Sequence, residues 1–344
     1  MKKVFILQFG LLLIIGTGIS AQEECAVTLK KAEKLYDEGV IEEIPGMLQP
    51  CLEKGFSRVD RIRALRLVIL CHIFEDRKDL AEQTMLTLLN YDPEYEANKA
   101  VDPAEFIQLY NSYRTNPVYS IGIMGGLNSA YASPTVSYGM DNTSGFTGEF
   151  NPSGMGFHVM LFLNRYLAPN TELSMGLSYV QNKFESIDTL LDFALTSFDE
   201  TQNRLELPVS VTYDFQVFNL RPYLRGGINA SYLLNAYSQA TRTYLDNSHR
   251  DVTGSDIEIN DYRNNFNLAL TGGAGLKYKV KRGYFFLDAR YNYYFLNSVK
   301  RKSRYNNPEL LFKYYHVDDD FQLSNLLISA GYMYSFYKPE KIVK

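Results

Sequence analysis

The stretch 204–215, RLELPVSVTYDF, constrains the fold of this chain more than any other. Leu205, Leu207, Val209, Val211, Tyr213 and Phe215 are apolar, and Arg204, Glu206, Pro208, Ser210, Thr212 and Asp214 fall between them. Strict alternation is the period of an extended strand, whose side chains point to opposite faces. The pattern returns eight times past residue 117, with no comparably long helix to cover the oily faces. A sheet that is apolar outward all round and polar inside is a transmembrane β-barrel. Closure is then obligatory, because an open edge would leave peptide N–H and C=O groups unpaired in hydrocarbon.

The first predicted strand, 118–128, turns Tyr119, Ile121, Ile123 and Leu127 outward, and the second, 154–164, does the same with Phe157, Val159, Leu161 and Leu163. The third carries Leu173, Met175, Leu177 and Tyr179, the fourth is the opening stretch, and the fifth carries Leu224, Ile228, Ala230 and Tyr232. The sixth is 265–280, the seventh shows Phe285 to Tyr293 and the eighth Ile328 to Phe336. Long polar connections follow the odd strands, at about 184–201, 236–262 and 297–321 after the third, fifth and seventh. Short turns at 168–170, 217–219 and 281–283 follow the even ones. Outer-membrane barrels have short periplasmic turns and long external loops, so both barrel termini are expected on the periplasmic side.

Composition agrees. Tyr 27 and Phe 21 suit aromatic girdles at the two interfaces, and a mean hydropathy of −0.22 excludes a helical multi-span protein. A net charge of −4 with dispersed Lys and Arg excludes nucleic acid as a partner. Lys2 and Lys3, the apolar run from Val4 to Ile15 and the small residues up to Ala21 read as a signal peptide, 1–21. Export places Cys25, Cys51 and Cys71 in an oxidising compartment, where one disulfide is open to them; spacing does not choose the pair.

Residues 22–113 read as helices. Asp60 to Phe74 puts Ile62, Leu65, Ile69 and Ile73 on one face, and Leu80 to Asn90 follows. The 67–93 stretch, with a turn at Asp76 to Asp79, Ala81 at a close crossing and Asp92-Pro93 at the end, resembles a tetratricopeptide repeat. Lys31 to Leu52 resembles a degenerate second one, and the resemblance implies binding of an extended peptide. Arg114 to Pro117 is a linker.

Tyr113-Arg114-Thr115-Asn116-Pro117, Ser120-Ile121-Gly122 and Gly125-Gly126-Leu127-Asn128 resemble the start of PorT-like outer-membrane barrels of the Bacteroidetes type. Leu205-Glu206-Leu207-Pro208 is similar to another of their strands, and the resemblance spans about 113–337. It implies the barrel fold and, for some relatives, a role in secretion.

Chemistry is sparse. The inward positions Arg204, Glu206, Asp214, Arg225, Lys277, Asp288 and Arg290 are expected to form a charge network filling a narrow lumen, with Glu206–Arg225 and Asp288–Arg290 as pairs. His158 points inward toward Ser174 or Ser178 without a hydrolase arrangement. Cys71-His72 has no second Cys/His pair at ligand spacing, and Asp251 to Asp261 and Asp318 to Asp320 read as solvated loop charge. No catalytic, cofactor or metal site is expected.

The resulting expectation is an α+β multidomain chain: signal peptide 1–21, periplasmic helical domain 22–113, linker 114–117, eight-stranded barrel 118–337 and periplasmic tail 338–344. Its expected role is a non-enzymatic anchor or subunit of an envelope assembly in the outer membrane. Lipid contacts the barrel, and a periplasmic or envelope protein binds residues 25–112. A surface adhesin or ligand binder acting through its loops is the alternative, and a small channel or barrel enzyme the third.

Overall fold

The computed structural model describes residues 22–53, 55–138, 148–168, 170–190, 194–215, 220–245, 250–314 and 316–342. The expected signal peptide, the turn at 217–219 and His249 lie outside the described residues. Two compact units emerge. One holds the helices together with the residues from Tyr337 onward, and the other is Pro117–Phe336.

The helical unit contains α1 (22–37), α2 (Ile44–Glu53), α3 (Arg58–Phe74), α4 (Lys78–Tyr91) and α5 (Ala104–Asn111). Ser57 starts α3: its hydroxyl accepts the Asp60 N–H at 3.2 Å and donates to the Asp60 carboxylate at 2.7 Å. Gly39, at φ +81°, takes the left-handed conformation that ends the first helical run. α3 is buried on two faces. Ala64, Leu67, Val68 and Cys71 pack with Leu29, Ala32, Ile44 and Leu48, while Leu65 and Ile69 pack with Met85, Leu88, Phe106 and Tyr113. Cys25 and Cys51 are joined as a disulfide and Cys71 is a buried thiol, pushed up to about 12 by burial. The C-terminal tail belongs to this unit. Tyr113 bridges to Lys341, the Arg114 N–H donates to the Glu340 carbonyl at 2.9 Å, and Ile342 N–H donates to the Ser112 carbonyl at 2.7 Å. Arg114, read from sequence as linker, is thus part of a hydrogen-bonded edge.

The second unit is a ring of β1 (Pro117–Val136), β2 (Gly156–Ala168), β3 (Thr171–Leu190), β4 (Ala194–Asp214), β5 (Leu220–Tyr244), β6 (Phe266–Val280), β7 (Gly283–Tyr294) and β8 (Asp320–Tyr337). Each pairs antiparallel with its neighbour in sequence, and β8 lies beside β1, so the eight long strands close on themselves. Short strands Gly148–Asn151, Val252–Thr253 and Ile257–Glu258 add to β3 and β5.

Near the end where Pro117 and Phe336 lie, here the terminal rim, outward residues are apolar and exposed: Leu161, Leu207, Leu287 and Ile328 among them. From Leu205 to Phe215 this oily belt covers roughly 25 Å once strand tilt is included. The strands do not stop there. Two of the connections read as polar loops, 184–201 and the first part of 236–262, are largely strand: β3 continues to Leu190, β4 begins at Ala194 and β5 runs to Tyr244. Alternation persists in them with its polarity reversed. Phe184, Phe198, Ala236 and Ala240 point inward and are buried, whereas Lys183, Glu185, Asp199 and Gln239 face out. Outside the bilayer a sheet obeys water, so its apolar residues go in. The reversal is marked by a row of amides, Gln181 to Asn203 at 3.3 Å and Asn203 to Asn235 at 2.5 Å, and by a β-bulge between Asn203 and Arg204. The connection after β7 also carries short helical turns at Arg301–Ser303 and Glu309–Lys313.

Candidate functional site

The lumen is where charged side chains converge. All seven network positions expected from sequence point inward and are buried, Arg204 completely. Toward the terminal rim Lys277 on β6 donates to Glu172 on β3 at 2.8 Å and to Asp214 on β4 at 2.9 Å. Asn164 supports Glu172 at 3.0 Å. One cation thus serves two carboxylates inside the barrel.

The next layer reverses the ratio. Asp288 forms an ion pair with Arg290 at 2.6 Å and accepts from the Tyr223 hydroxyl at 2.6 Å, and Arg225 stands 3.7 Å away. The small run Gly272-Gly273-Ala274-Gly275 makes room for these groups. A Cβ on Gly275 would collide with the Leu287 carbonyl and with the Tyr223 ring, and one on Gly273 would meet the Arg290 stem. Below them Met124, Met160, Phe162, Tyr284, Phe286 and Met333 form an apolar plug.

Glu206 does not pair with Arg225. It accepts from Asn229 at 2.6 Å, from Ser231 at 3.3 Å and from the Tyr294 hydroxyl. Neutral donors suffice because Arg225 is engaged at the Asp288 level. Arg204 donates to Gln202 at 2.9 Å and Ser231 at 3.4 Å. His158 shares a hydrogen bond of 2.7 Å with Ser329, not with Ser174 or Ser178, and both partners are buried in the packed lumen.

At the far rim, where the strands stand clear of the oily belt, lies a cluster the sequence reading missed. Arg263 makes two-pronged contacts with Glu200, at 2.8 and 2.6 Å, and with Asp318, at 2.8 Å for both. His316 contacts Asp188 at 2.7 Å and Asp318 at 3.5 Å, and its ring stacks on Phe198 at 3.8 Å. Asp320, read from sequence as solvated charge, is buried and grips Arg301, at 3.0 Å, and Arg304. Glu200 lay in a segment taken for loop, and Arg263 and His316 carry no local pattern. Only Glu172, one residue before Leu173 in the alternation, was within reach of the strand pattern.

The cavity among Phe184, Glu200, Arg263, His316, Asp318 and Phe321 measures 20 Å³. That holds about one water. Among the described residues no group of His, Cys, Asp and Glu is arranged to hold a metal ion.

No curated protein matches the chain. Among solved structures it is similar to Neisserial surface protein A (NspA), 16% identical over 63% of this chain and 97% of that one, with a TM-score of 0.30. It is similar to OprG of Pseudomonas aeruginosa, 11% identical over 65% and 98%, with a TM-score of 0.39. Ail, the attachment invasion locus protein of Yersinia pestis, is 13% identical over 64% and 100%, with a TM-score of 0.29. The family described as outer membrane protein beta-barrel domain matches residues 116–300, more than half of the chain. With the closed ring and its oily outer belt already described, that match identifies the chain as a member of the outer-membrane protein β-barrel domain family.

Proposed function

We propose that the protein is a non-enzymatic component of the cell envelope. The barrel anchors it in the outer membrane, and the helical unit, held in the periplasm, binds a protein partner. The observation that carries this reading is the filled lumen: interlocked ion pairs and the plug of Met124, Phe162, Phe286 and Met333 leave transport little room and shift the work to a domain outside the membrane. The α3–α4 hairpin supports a tetratricopeptide-like binding role. Asp76 turns the chain at φ +54° between the helices, and buried Ala81 sits where α4 meets its neighbours. A PorT-like place in a secretion assembly is the specific form the sequence resemblance suggests.

Deleting residues 25–112 tests this. Loss of co-purifying envelope proteins while the barrel stays membrane-inserted is the expected result, and retention of every partner would refute the anchor reading. A second reading, a surface binder, is favoured by the long stretches of β3, β4 and β5 beyond the oily belt. Shortening the connection 245–265 would then abolish attachment to host or matrix surfaces and leave the periplasmic partners in place.

A further inference from the structure

An open cleft of 390 Å³ lies at the far rim, lined by Asn264, Asn297, Val299, Lys300, Arg301, Lys302 and Ser303. Its position along the barrel is set by the strands below it. Asn264 lies two residues before Phe266 on β6, and Asn297 two residues after Phe295, at the end of β7. Phe266, which faces outward on β6, and Phe295 and Leu296 just past β7 are exposed, so the cleft opens at the aromatic margin of the oily belt. Lipid phosphates stand at that height.

The floor of the cleft is rigid. The Asn264 side chain donates to the carbonyls of Asn297 at 2.9 Å and Val299 at 3.1 Å. Lys300 N–H donates to the Tyr262 carbonyl at 2.9 Å, and Ser303 Oγ donates to the Asp261 carbonyl at 2.9 Å. Its charge is strongly one-sided. Lys300, Arg301, Lys302 and Arg304 stand against Asp320, which is buried and shared by the two arginines, and Asp261 on the neighbouring turn. Lys300 Nζ reaches only the Asn260 carbonyl, at 3.5 Å, and Lys302 has no carboxylate within ion-pair distance among the described residues. Lys300 and Lys302 therefore line a pre-formed hollow with no carboxylate paired to either among the described residues, and the exposed Arg301 guanidinium beside them shares its one carboxylate, Asp320, with Arg304.

We propose that this cleft binds the phosphorylated headgroup of a lipid in the leaflet at the far rim. Lys300 and Lys302 hold the phosphate, Ser303 and Asn264 line the sugar or glycerol side, and the acyl chains lie along Phe266, Phe295 and Leu296. Taking that leaflet as the outer one rests on the periplasmic placement of the helical unit. The test uses the full chain purified in detergent micelles, with native mass spectrometry reading bound lipid. The probes are bisphosphorylated lipid A, the same lipid without phosphates, and inorganic phosphate. Lipid A is expected to stay bound and its phosphate-free form to be lost. Lys300→Gln with Lys302→Gln is expected to weaken lipid A binding roughly 30-fold, from about a fivefold loss per removed charge. Lys302→Gln alone, at an exposed and unpaired position, supplies a single-charge readout that does not depend on folding of the double variant. Equal retention of the phosphate-free lipid, unchanged binding by both variants, or displacement of lipid A by equimolar inorganic phosphate would each overturn the proposal. Orientation is read separately. Lys302→Cys should react with a membrane-impermeant maleimide on intact cells, and reaction only after permeabilisation would refute the periplasmic helical unit while leaving phosphate recognition standing.

Discussion

Lys277 stands between Glu172 and Asp214, and removing its charge would leave two carboxylates facing each other in a packed lumen. Unpartnered buried charge costs about 3–5 kcal/mol. Lys277→Met is accordingly expected to lower the unfolding free energy of the barrel in micelles, read from its urea midpoint and slope, by that amount. Adding Glu172→Gln and Asp214→Asn should recover most of the loss. His316 makes a pH prediction. Burial alone pulls its pKa down, but the hydrogen bonds its ring donates to the Asp188 and Asp318 carboxylates outweigh burial and raise it from 6.5 to about 9. Asp318, for which burial pushes upward, is held well below the usual carboxylate range because Arg263 wins. A raised histidine stabilises fully below 6.5, and the contribution fades as pH climbs through about 9. Protection of the amides at 257–263, measured relative to their intrinsic exchange rates, should therefore fall between pH 6.5 and 10, and His316→Gln should flatten that dependence. The membrane-level charges were legible because Arg204, Glu206 and Lys277 alternate with apolar neighbours. The His316 cluster was not, because its members come from connections that fold together only in three dimensions.

Among the elements, the strands that touch lipid were readable and the parts that leave it were not. Leu205 to Phe215 shows an oily side and a polar side, whereas 184–201 shows Phe184 and Phe198 among Glu185, Asp199 and Glu200 and reads as loop. The physics changed from lipid to water within a single strand, and a rule tuned to one solvent fails in the other. The helices were readable from their 3.6-residue period, and α3 owes its two-sided burial to neighbours that local sequence does not reveal. The Cys25–Cys51 link closes a loop with a sequence separation of 26. On the chain-entropy account such a loop contributes about 3–4 kcal/mol. Replacing both cysteines with serine should lower the helical melting transition, followed by far-ultraviolet circular dichroism at 222 nm, where helix dominates the signal. The Cys71 thiol should stay unreactive toward iodoacetamide in the native protein, since burial keeps it protonated.

For the whole molecule, strand number and filling decide what passes. Eight strands leave an interior that side chains fill, and here Lys277 on β6 ties to Glu172 on β3, Arg263 ties to Glu200 on β4, and Asp288 on β7 pairs with Arg290 on its own strand and faces Arg225 on β5. Planar bilayers containing the pure protein are expected to stay silent at potentials up to about 100 mV. Discrete steps in current would count against a filled lumen. Deletion of the helical unit should not change that silence.

The amide row of Gln181, Asn203 and Asn235 has a mechanical consequence. Sinking the barrel by one pleat would drag those amides into hydrocarbon, and raising it by one would lift Leu205 and Tyr232 toward water. Both displacements are uphill, so the molecule rides at a single draught, and whatever docks at either rim meets it at a fixed height.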